Sequence, residues 1–218
     1  MPSKGDKWLH EIDAELHAQQ VPLPPELIAA LVHVESRGVA GATNQSSGAS
    51  GLLQVMPGTL EWYNKYHASV PLEYLRSSQH GREQLRVGIW VLSQFWKSAY
   101  RYLRKRQKTI PVEQLAEIAD LFYVAGPGAT TKRLDQVEPA TRSALEDRFP
   151  GWNALPHPRN VFELGPFPFE LDAISKWLES GYLSRRKSEQ IGALAALLLF
   201  WLVGKYFNSG VKSNAGVD

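Results

Sequence analysis

The sequence contains no cysteine, which excludes disulfide bridges and thiolate metal sites. It also lacks a strong charge imbalance, since 24 lysines and arginines stand against 22 acidic residues and the net charge is +2. A strongly basic, nucleic-acid-binding body is therefore not expected, and we predict no nucleic-acid partner. No apolar run follows the two early lysines at the N-terminus, so we predict no secretory signal peptide.

A convincing period-two pattern of β-strands is missing too, and apolar residues instead recur at helical spacing. The clearest helix is predicted at 82–105, where steps of four and three connect Leu85, Ile89, Leu92, Trp96, Ala99 and Leu103. Pro25 suits the first position of another helix, which Gly38 is expected to stop. Further helices are predicted from Asp6 to before Pro22, from near Pro57, at 112–125 and at 130–148. The predicted fold class is all-α.

The last third of the chain differs in composition. Five prolines fall within 150–168, which predicts an extended linker or packed arm. A C-terminal helical segment is predicted at 169–218, beginning with an amphipathic helix whose apolar residues are Leu171, Ile174, Trp177 and Leu178. It ends in an unbroken apolar run at 191–203. Two interpretations of that run stay open: a helix packed on the core or a partner, and a membrane anchor at about 190–207.

Glu35 is the first candidate for chemistry. It continues an apolar ridge formed by Ile28 and Val32, near the C-terminal end of its helix. One interpretation is a side chain that simply reaches solvent from a helix edge. In the other, desolvation and the negative helix end favour the protonated carboxyl, and such an acid suits protonation of a glycosidic oxygen.

Two sequence blocks bear on this choice. Glu35-Ser36 is followed by Gly48-Ala49-Ser50-Gly51-Leu52-Leu53-Gln54-Val55-Met56-Pro57-Gly58-Thr59, and later by Tyr123-Val124-Ala125-Gly126-Pro127-Gly128. The first block resembles the signature of soluble lytic transglycosylases, Glu-Ser and then Gly-Ala-x-Gly-Leu-Met-Gln-hydrophobic-Met-Pro-x-Thr. The second is similar to that family's Ala-Tyr-Asn-Ala-Gly-Pro-Gly. The resemblance, shared with goose-type-lysozyme-like enzymes, implies a lysozyme-like helical domain, which we place at 1–149.

The resemblance also implies roles for single residues. Glu35 is the expected catalytic acid/base, and the expected substrate-binding residues are Ser36, Gln54, Met56 and Tyr123. Four glycines are expected to shape the loops: Gly48, Gly51, Gly126 and Gly128. Other roles stay open, because Gln54 could hold its loop, Met56 could fill the core and Tyr123 could serve as a packing aromatic. The chain departs from the family pattern at Val124, where Asn is usual, and at Phe122, where Ala is usual.

The distribution of carboxylates favours one mechanism. No Asp or Glu occurs between Ser36 and Leu60, whereas a two-carboxylate glycosidase needs a partner nearby. Glu61 or a distant carboxylate stays open as that partner. A single carboxyl fits the family's reaction, cleavage of the β-1,4 MurNAc–GlcNAc bond of peptidoglycan strands with formation of 1,6-anhydro-MurNAc. No cofactor is expected, and the scattered histidines show no metal-ligand spacing, so no metal is expected either.

The sequence also bears on the location in which the enzyme is expected to act. If the apolar run were an anchor, the preceding Arg185-Arg186-Lys187 would keep the domain on the cytoplasmic side, away from peptidoglycan. We therefore expect a phage virion enzyme that acts in the cell envelope during genome entry, with its C-terminal helix on a tail or membrane component. The alternatives are a cellular transglycosylase of a secretion or conjugation system, a hydrolytic lysozyme-like variant, and a glycan-binding structural component without activity.

Overall fold

The computed structural model describes residues 3–105, 110, 112–126, 128, 131, 164, 167–181 and 183. The chain divides into two compact units, Met1–Leu178 and Glu179–Asp218, and almost all of the described residues belong to the first unit. The predicted helix at 130–148, most of the proline-rich segment and the apolar run at 191–203 lie outside the described residues.

Seven α-helices form the described part of the fold, and no β-strand occurs among those residues. They are α1 (Leu9–Ala18), α2 (Pro25–Ser36), α3 (Pro57–Asn64), α4 (Leu72–Leu75), α5 (Gly81–Arg104), α6 (Val112–Ala125) and α7 (residues 171–181). A 3-10 turn, Asp6–Trp8, precedes α1. The only extended pairing within the described ranges is at Ser50, which forms isolated bridges with Thr43 and Val55. The all-α prediction is confirmed.

Prolines start the two helices that flank the site. Pro25 and Pro57 each occupy the first helical position, where the missing N–H is not needed and the fixed φ suits the helix. The end of α2 differs from the expectation in one detail. The left-handed residue directly after the helix is Arg37, with φ 52°, and Gly38 comes second and donates its N–H to the Val32 carbonyl at 3.2 Å. This tight C-terminal cap fixes where the last turn of α2 points.

Helix α5 is the centre of the unit and packs against α1, α3, α4 and α6. The predicted stripe is buried throughout, each residue being at most 1% exposed: Leu85, Ile89, Leu92, Trp96, Ala99 and Leu103. Because burial of such side chains is the main stabilising contribution in a domain of this size, this stripe anchors the surrounding helices. The site elements are therefore held on a rigid central helix.

An ion-pair cluster joins α1 to α5. Glu15 is 1% exposed and accepts hydrogen bonds from Arg82 Nε at 2.8 Å and from Arg86 Nε at 3.3 Å. Burial alone would raise the pKa of Glu15, but the hydrogen bonds and charges of Arg82 and Arg86 outweigh it and hold the pKa below its ordinary value. Glu15 is thus a buried charge with its partners in place.

Helix α7 confirms the predicted amphipathic helix with one difference. Ile174 and Leu178 are each 2% exposed, and Lys97 of α5 lies 5.0 Å from the ring centroid of Trp177. Leu171, the first residue of the helix, is 53% exposed and does not join the buried face. Among the described residues, no helix is both long and apolar enough to cross a membrane.

Candidate active site

Glu35 lies in the last turn of α2, one residue before the helix ends. Its side chain is partly buried, and this burial raises its pKa from an ordinary 4.5 to about 7. No cation of the described residues acts on the carboxyl to lower that value. The interpretation of Glu35 as a side chain that simply reaches solvent does not fit this position, because a large part of the carboxylate's hydration is lost.

The loop from residue 41 to 56 carries the first sequence block. Gln54 adopts left-handed backbone, with φ 45°, and its Nε2 donates to the carbonyls of Ala42 at 3.1 Å and Gly51 at 2.9 Å. The amide nitrogen therefore holds the loop, in line with one of the two interpretations of this residue. Its Oε1 accepts no hydrogen bond from the described residues, which leaves that oxygen available to a donor on a ligand.

Gln84 of α5 fastens this loop and was not singled out by the sequence. It is 1% exposed, and its Oε1 accepts from the N–H of Leu52 at 3.1 Å and of Gly41 at 3.3 Å. Its Nε2 donates to the carbonyls of Tyr74 and Ser77 at 2.9 and 2.6 Å. One buried amide thus connects three separate chain segments.

Two glycines allow the loop to approach α5. Gly51 has φ +84°, a backbone angle that favours glycine, and a Cβ there would lie 3.1 Å from the Gln84 side chain, which would have to shift by a few tenths of an ångström. On the helix, a Cβ at Gly88 would lie 2.4 Å from Leu53. Leu53, which stands where the family pattern has Met, is 0% exposed and fills the space above Gly88.

Tyr123 of α6 contacts the loop that carries the first sequence block. Its hydroxyl donates to the Leu53 carbonyl, and its ring packs edge-on against Phe95 with centroids 5.9 Å apart. Burial, followed by the charges of Glu35 and Asp120, raises the pKa of Tyr123 well above its ordinary value. The structure therefore brings Glu35, the Leu53–Gln54 corner and Tyr123 together, although they are far apart in the sequence.

Asp120 is a second carboxyl near Glu35, which the sequence reasoning missed. It is 4% exposed, and burial, followed by the charges of Glu35 and Glu117, raises its pKa to about 8. Neither carboxylate oxygen has a hydrogen-bond partner among the described residues. A signal was present in the sequence, because Asp120 precedes Tyr123 by three residues in a predicted helix and so lies on the same face.

The other predicted residues occupy different positions. Met56 precedes α3 and is 44% exposed, so it is not a core filler and offers an apolar surface to a ligand. Ser36 is 7% exposed, and its hydroxyl donates to the Val32 carbonyl at 3.0 Å within its own helix. Gly48 and Gly126 both have left-handed backbone, whereas Gly128 is exposed.

A cavity of about 480 Å³ lies elsewhere, between α1, α3 and α5, and none of the predicted site residues lines it. Its walls include Glu15, Gln19, Tyr63, Arg86, Trp90 and Lys97. Over the described residues, no group of three or more His, Cys, Asp or Glu side chains is placed to hold a metal ion.

Comparison with known proteins shows the family to which the chain belongs. The transglycosylase SLT domain family matches residues 14–144, which is more than half of the chain and includes Glu35, Gln54 and Tyr123. The chain belongs to the transglycosylase SLT domain family. Membership indicates a lytic transglycosylase, a glycan lyase that acts on peptidoglycan, and confirms the expected lysozyme-like helical domain. No match was found among curated proteins or among solved structures.

Proposed function

We propose that Glu35 is the single catalytic acid/base of a lytic transglycosylase that cleaves the β-1,4 MurNAc–GlcNAc bond and leaves a 1,6-anhydro-MurNAc end. The observation that carries this proposal is a partly buried carboxyl in the last turn of α2, whose pKa burial raises to about 7 and whose charge acts on Tyr123. A general acid works best when its pKa is close to the working pH, because it is then protonated and still gives up its proton readily. Glu35 meets this condition near neutrality.

The reaction needs only this group and the substrate. The Glu35 carboxyl gives its proton to the glycosidic oxygen as the bond from that oxygen to C1 of MurNAc breaks. The N-acetyl group of the substrate is suited to stabilise the positive charge that develops at C1. The Glu35 carboxylate then takes the proton of the 6-hydroxyl of the same sugar, and O6 bonds to C1. Glu35 is protonated again at the end, and no water is consumed.

The state of Asp120 favours this route over two-carboxylate hydrolysis. A hydrolase of that kind needs an ionised second carboxylate, either as nucleophile or as base for a water molecule. Asp120, with a pKa of about 8, is largely neutral at pH 7 and is 4% exposed. Glu61, the other carboxylate considered from the sequence, is exposed on α3. Asp120 therefore lacks the properties of a second catalytic carboxylate at neutral pH, and Glu61 is left as the alternative partner.

Two residues of the first block are suited to hold the glycan. Met56 presents an exposed, polarisable side chain against which the apolar face of a sugar can pack. Gln54, fixed through its amide nitrogen, has an oxygen available to a hydroxyl or to the N–H of an N-acetyl group. Both lie in the loop that Tyr123 contacts through Leu53.

Digestion of purified peptidoglycan by matched variants tests the proposal. We expect Glu35→Gln to lose activity by at least about a hundredfold, because removal of a general acid typically costs that much. Glu26→Gln is the control, since Glu26 is an exposed carboxylate in the first turn of the same helix and is expected to keep full activity. Comparable rates in both variants would contradict the role of Glu35, and no cleavage by the wild type would favour a glycan-binding component.

The biological setting is a separate part of the proposal. We propose a phage virion enzyme that opens the wall during genome entry, with its C-terminal apolar segment on a tail or membrane component. The sequence feature that supports it is the basic cluster before residues 191–203, which would orient an anchored enzyme away from the wall. Neighbouring tail and capsid genes would support a virion enzyme, whereas neighbouring secretion or conjugation genes would favour a cellular one.

A further inference from the structure

The cavity between α1, α3 and α5 combines buried walls with a rim at the surface. Its volume of about 480 Å³ is in the range of pockets that hold small ligands. Of the residues that line it, Tyr63 and Ser93 are 4% and 2% exposed, whereas Ala18 and His67 are exposed to solvent. The cavity is therefore open to a ligand from solvent and offers it buried surface.

Three aromatic rings line one part of this cavity. The rings of Tyr63 and His67 stack with centroids 4.4 Å apart and an interplanar angle of 18°. Both rings meet Trp90 of α5 edge-on, with centroids 5.3 and 5.1 Å away. Trp90 is still only partly buried. Because the three rings hold one another in place, they offer apolar contact to a ligand at a small cost in side-chain entropy.

Two neutral polar groups of the lining have hydrogen-bonding capacity that no described residue uses. The Tyr63 hydroxyl makes no hydrogen bond to a described residue, although the side chain is 4% exposed. Gln94 donates from Nε2 to Ser93 Oγ at 3.1 Å, but its Oε1 accepts no hydrogen bond from the described residues. Polar groups in such surroundings are ordinarily paired, so a free donor and a free acceptor in one cavity indicate a ligand.

Lys97 gives the cavity its charge preference. Its ammonium group lies 5.0 Å from the ring centroid of Trp177 and forms no ion pair with a described carboxylate. Burial, followed by the charge of Arg101, lowers the pKa of Lys97, and no described anion offsets this effect. The other cation of the lining, Arg86, is already paired with Glu15 at 3.3 Å. The charges of the described lining therefore favour an anionic ligand beside Lys97.

The order of these groups along α5 suits a short peptide with a carboxylate. Trp90, Gln94 and Lys97 follow one another at steps of four and three, so they lie on one face of the helix. The seven residues from Trp90 to Lys97 correspond to about 10 Å along the helix axis. In peptidoglycan, carboxylates belong to the stem peptides, or to the lactyl group of MurNAc where the peptide is absent.

We propose that this cavity is a second peptidoglycan-binding site, in which Lys97 binds a carboxylate of the wall and Tyr63 and Trp90 contact the adjoining part of the ligand. The inference goes beyond the proposed function, because none of the predicted residues of the Glu35 site lines the cavity and no bond is broken there. It depends on the peptidoglycan substrate of the family and does not depend on the role of Glu35.

Calorimetric titration with paired probes tests the site. The probes are the tetrapeptide stem with free carboxyl groups and MurNAc with its free lactyl carboxylate, each compared with its amide. We expect at least one carboxylate probe to bind about tenfold or more tightly than its amide. A preference confined to the tetrapeptide identifies the stem peptide as the ligand, and one confined to MurNAc identifies the lactyl group. Equal binding of acid and amide for both probes would overturn the inference.

Matched variants show whether the preference arises in this cavity. Lys97→Met should weaken binding of the carboxylate probe about tenfold or more, and Lys97→Arg, which keeps the charge, should retain most of the affinity. Tyr63→Phe removes only a hydroxyl without a described partner and should weaken binding about three- to tenfold. Lys105→Met is the control, because Lys105 is exposed directly after α5 and does not line the cavity.

The outcomes separate this inference from the proposed function. Equal losses in Lys97→Met and Lys105→Met would overturn the inference, because they indicate general charge attraction, and so would equal losses in Lys97→Met and Lys97→Arg. Neither probe contains a MurNAc–GlcNAc bond, so binding is measured without cleavage. A wild type that binds the probe but leaves peptidoglycan intact would refute the proposed function alone.

Discussion

Replacement of Glu35 by glutamine is expected to stabilise the folded protein at neutral pH while it removes the acid. The free energy of unfolding depends on pH wherever a pKa differs between the folded and unfolded states. Burial raises the pKa of Glu35 from 4.5 to about 7 on folding. The folded state therefore prefers the protonated carboxyl, and the stability that Glu35 contributes is fully present only below about pH 4.5. That stability is lost as the pH rises through 7.

The size of the effect is set by the two pKa values. Between pH 4 and pH 7, the ionisable carboxyl costs the folded state about 3 kcal/mol relative to a group that does not titrate. Because the side chain is only partly buried, we take about 2 kcal/mol as the expected value. For a protein of this size, that corresponds to a rise of about 4–8 °C in Tm at pH 7. At pH 4 the variant and the wild type should be nearly equal, apart from a constant difference between the two side chains.

Urea unfolding at pH 4, 5.5 and 7 measures this difference. The Glu35→Gln variant should gain stability over the wild type steadily as the pH rises, whereas Glu26→Gln, on the exposed face of α2, should show no such trend. A difference between Glu35→Gln and wild type that stays constant from pH 4 to pH 7 would refute the reasoning, because Glu35 would then titrate alike in both states.

Three further changes test the supports of the site. Glu15→Gln should lower the free energy of unfolding at pH 7 by about 1–2 kcal/mol, because Arg82 and Arg86 both lose their charged partner. The loss is limited because both arginine side chains are in contact with water. The difference between variant and wild type should become smaller in acid, because the pKa of Glu15 is lowered in the folded state and the stabilisation by its charge is lost as the pH falls through that pKa. Equal unfolding curves of variant and wild type at pH 7 would contradict this prediction. Gln84→Ala should cost about 2–4 kcal/mol and speed proteolysis of the 41–56 loop, and an unchanged digestion pattern would contradict its fastening role. Tyr123→Phe should lower kcat about tenfold and the free energy of unfolding by about 1 kcal/mol, since the Leu53 carbonyl loses its donor, and full activity would exclude a role for the hydroxyl.

The helices could be predicted from the sequence because their causes are local. The apolar stripe of α5 repeats over about five turns, and Pro25 places the start of α2. Periodicity of this kind survives in the fold because the same face is buried along the whole helix. Helix α4 was missed, since four residues are too few to display a period. The left-handed cap at Arg37 was also missed, because a glycine followed directly and is the usual residue for that conformation.

The candidate site was predicted in part from sequence motifs, whereas the helices were predicted from local periodicity. The two sequence blocks predict Glu35 and Tyr123 as site residues, but their spacing does not reveal that the Tyr123 hydroxyl of α6 contacts the Leu53 carbonyl. Gln84 and Asp120 were missed because their importance depends on tertiary contacts. A polar residue inside a predicted helix is ordinarily assigned to the solvent face, and only packing shows that each is buried. Among the described residues, Gln84 is then fully satisfied by four hydrogen bonds and Asp120 by none.

Mass spectrometry of the products released from purified peptidoglycan tests the central claim most directly. If Glu35 acts alone and the 6-hydroxyl of MurNAc is the nucleophile, the wild type should release fragments that end in 1,6-anhydro-MurNAc, each one water lighter than a hydrolysis product. The Glu35→Gln variant should release neither kind. Fragments with reducing ends from the wild type, or anhydro ends from Glu35→Gln, would contradict the proposed mechanism.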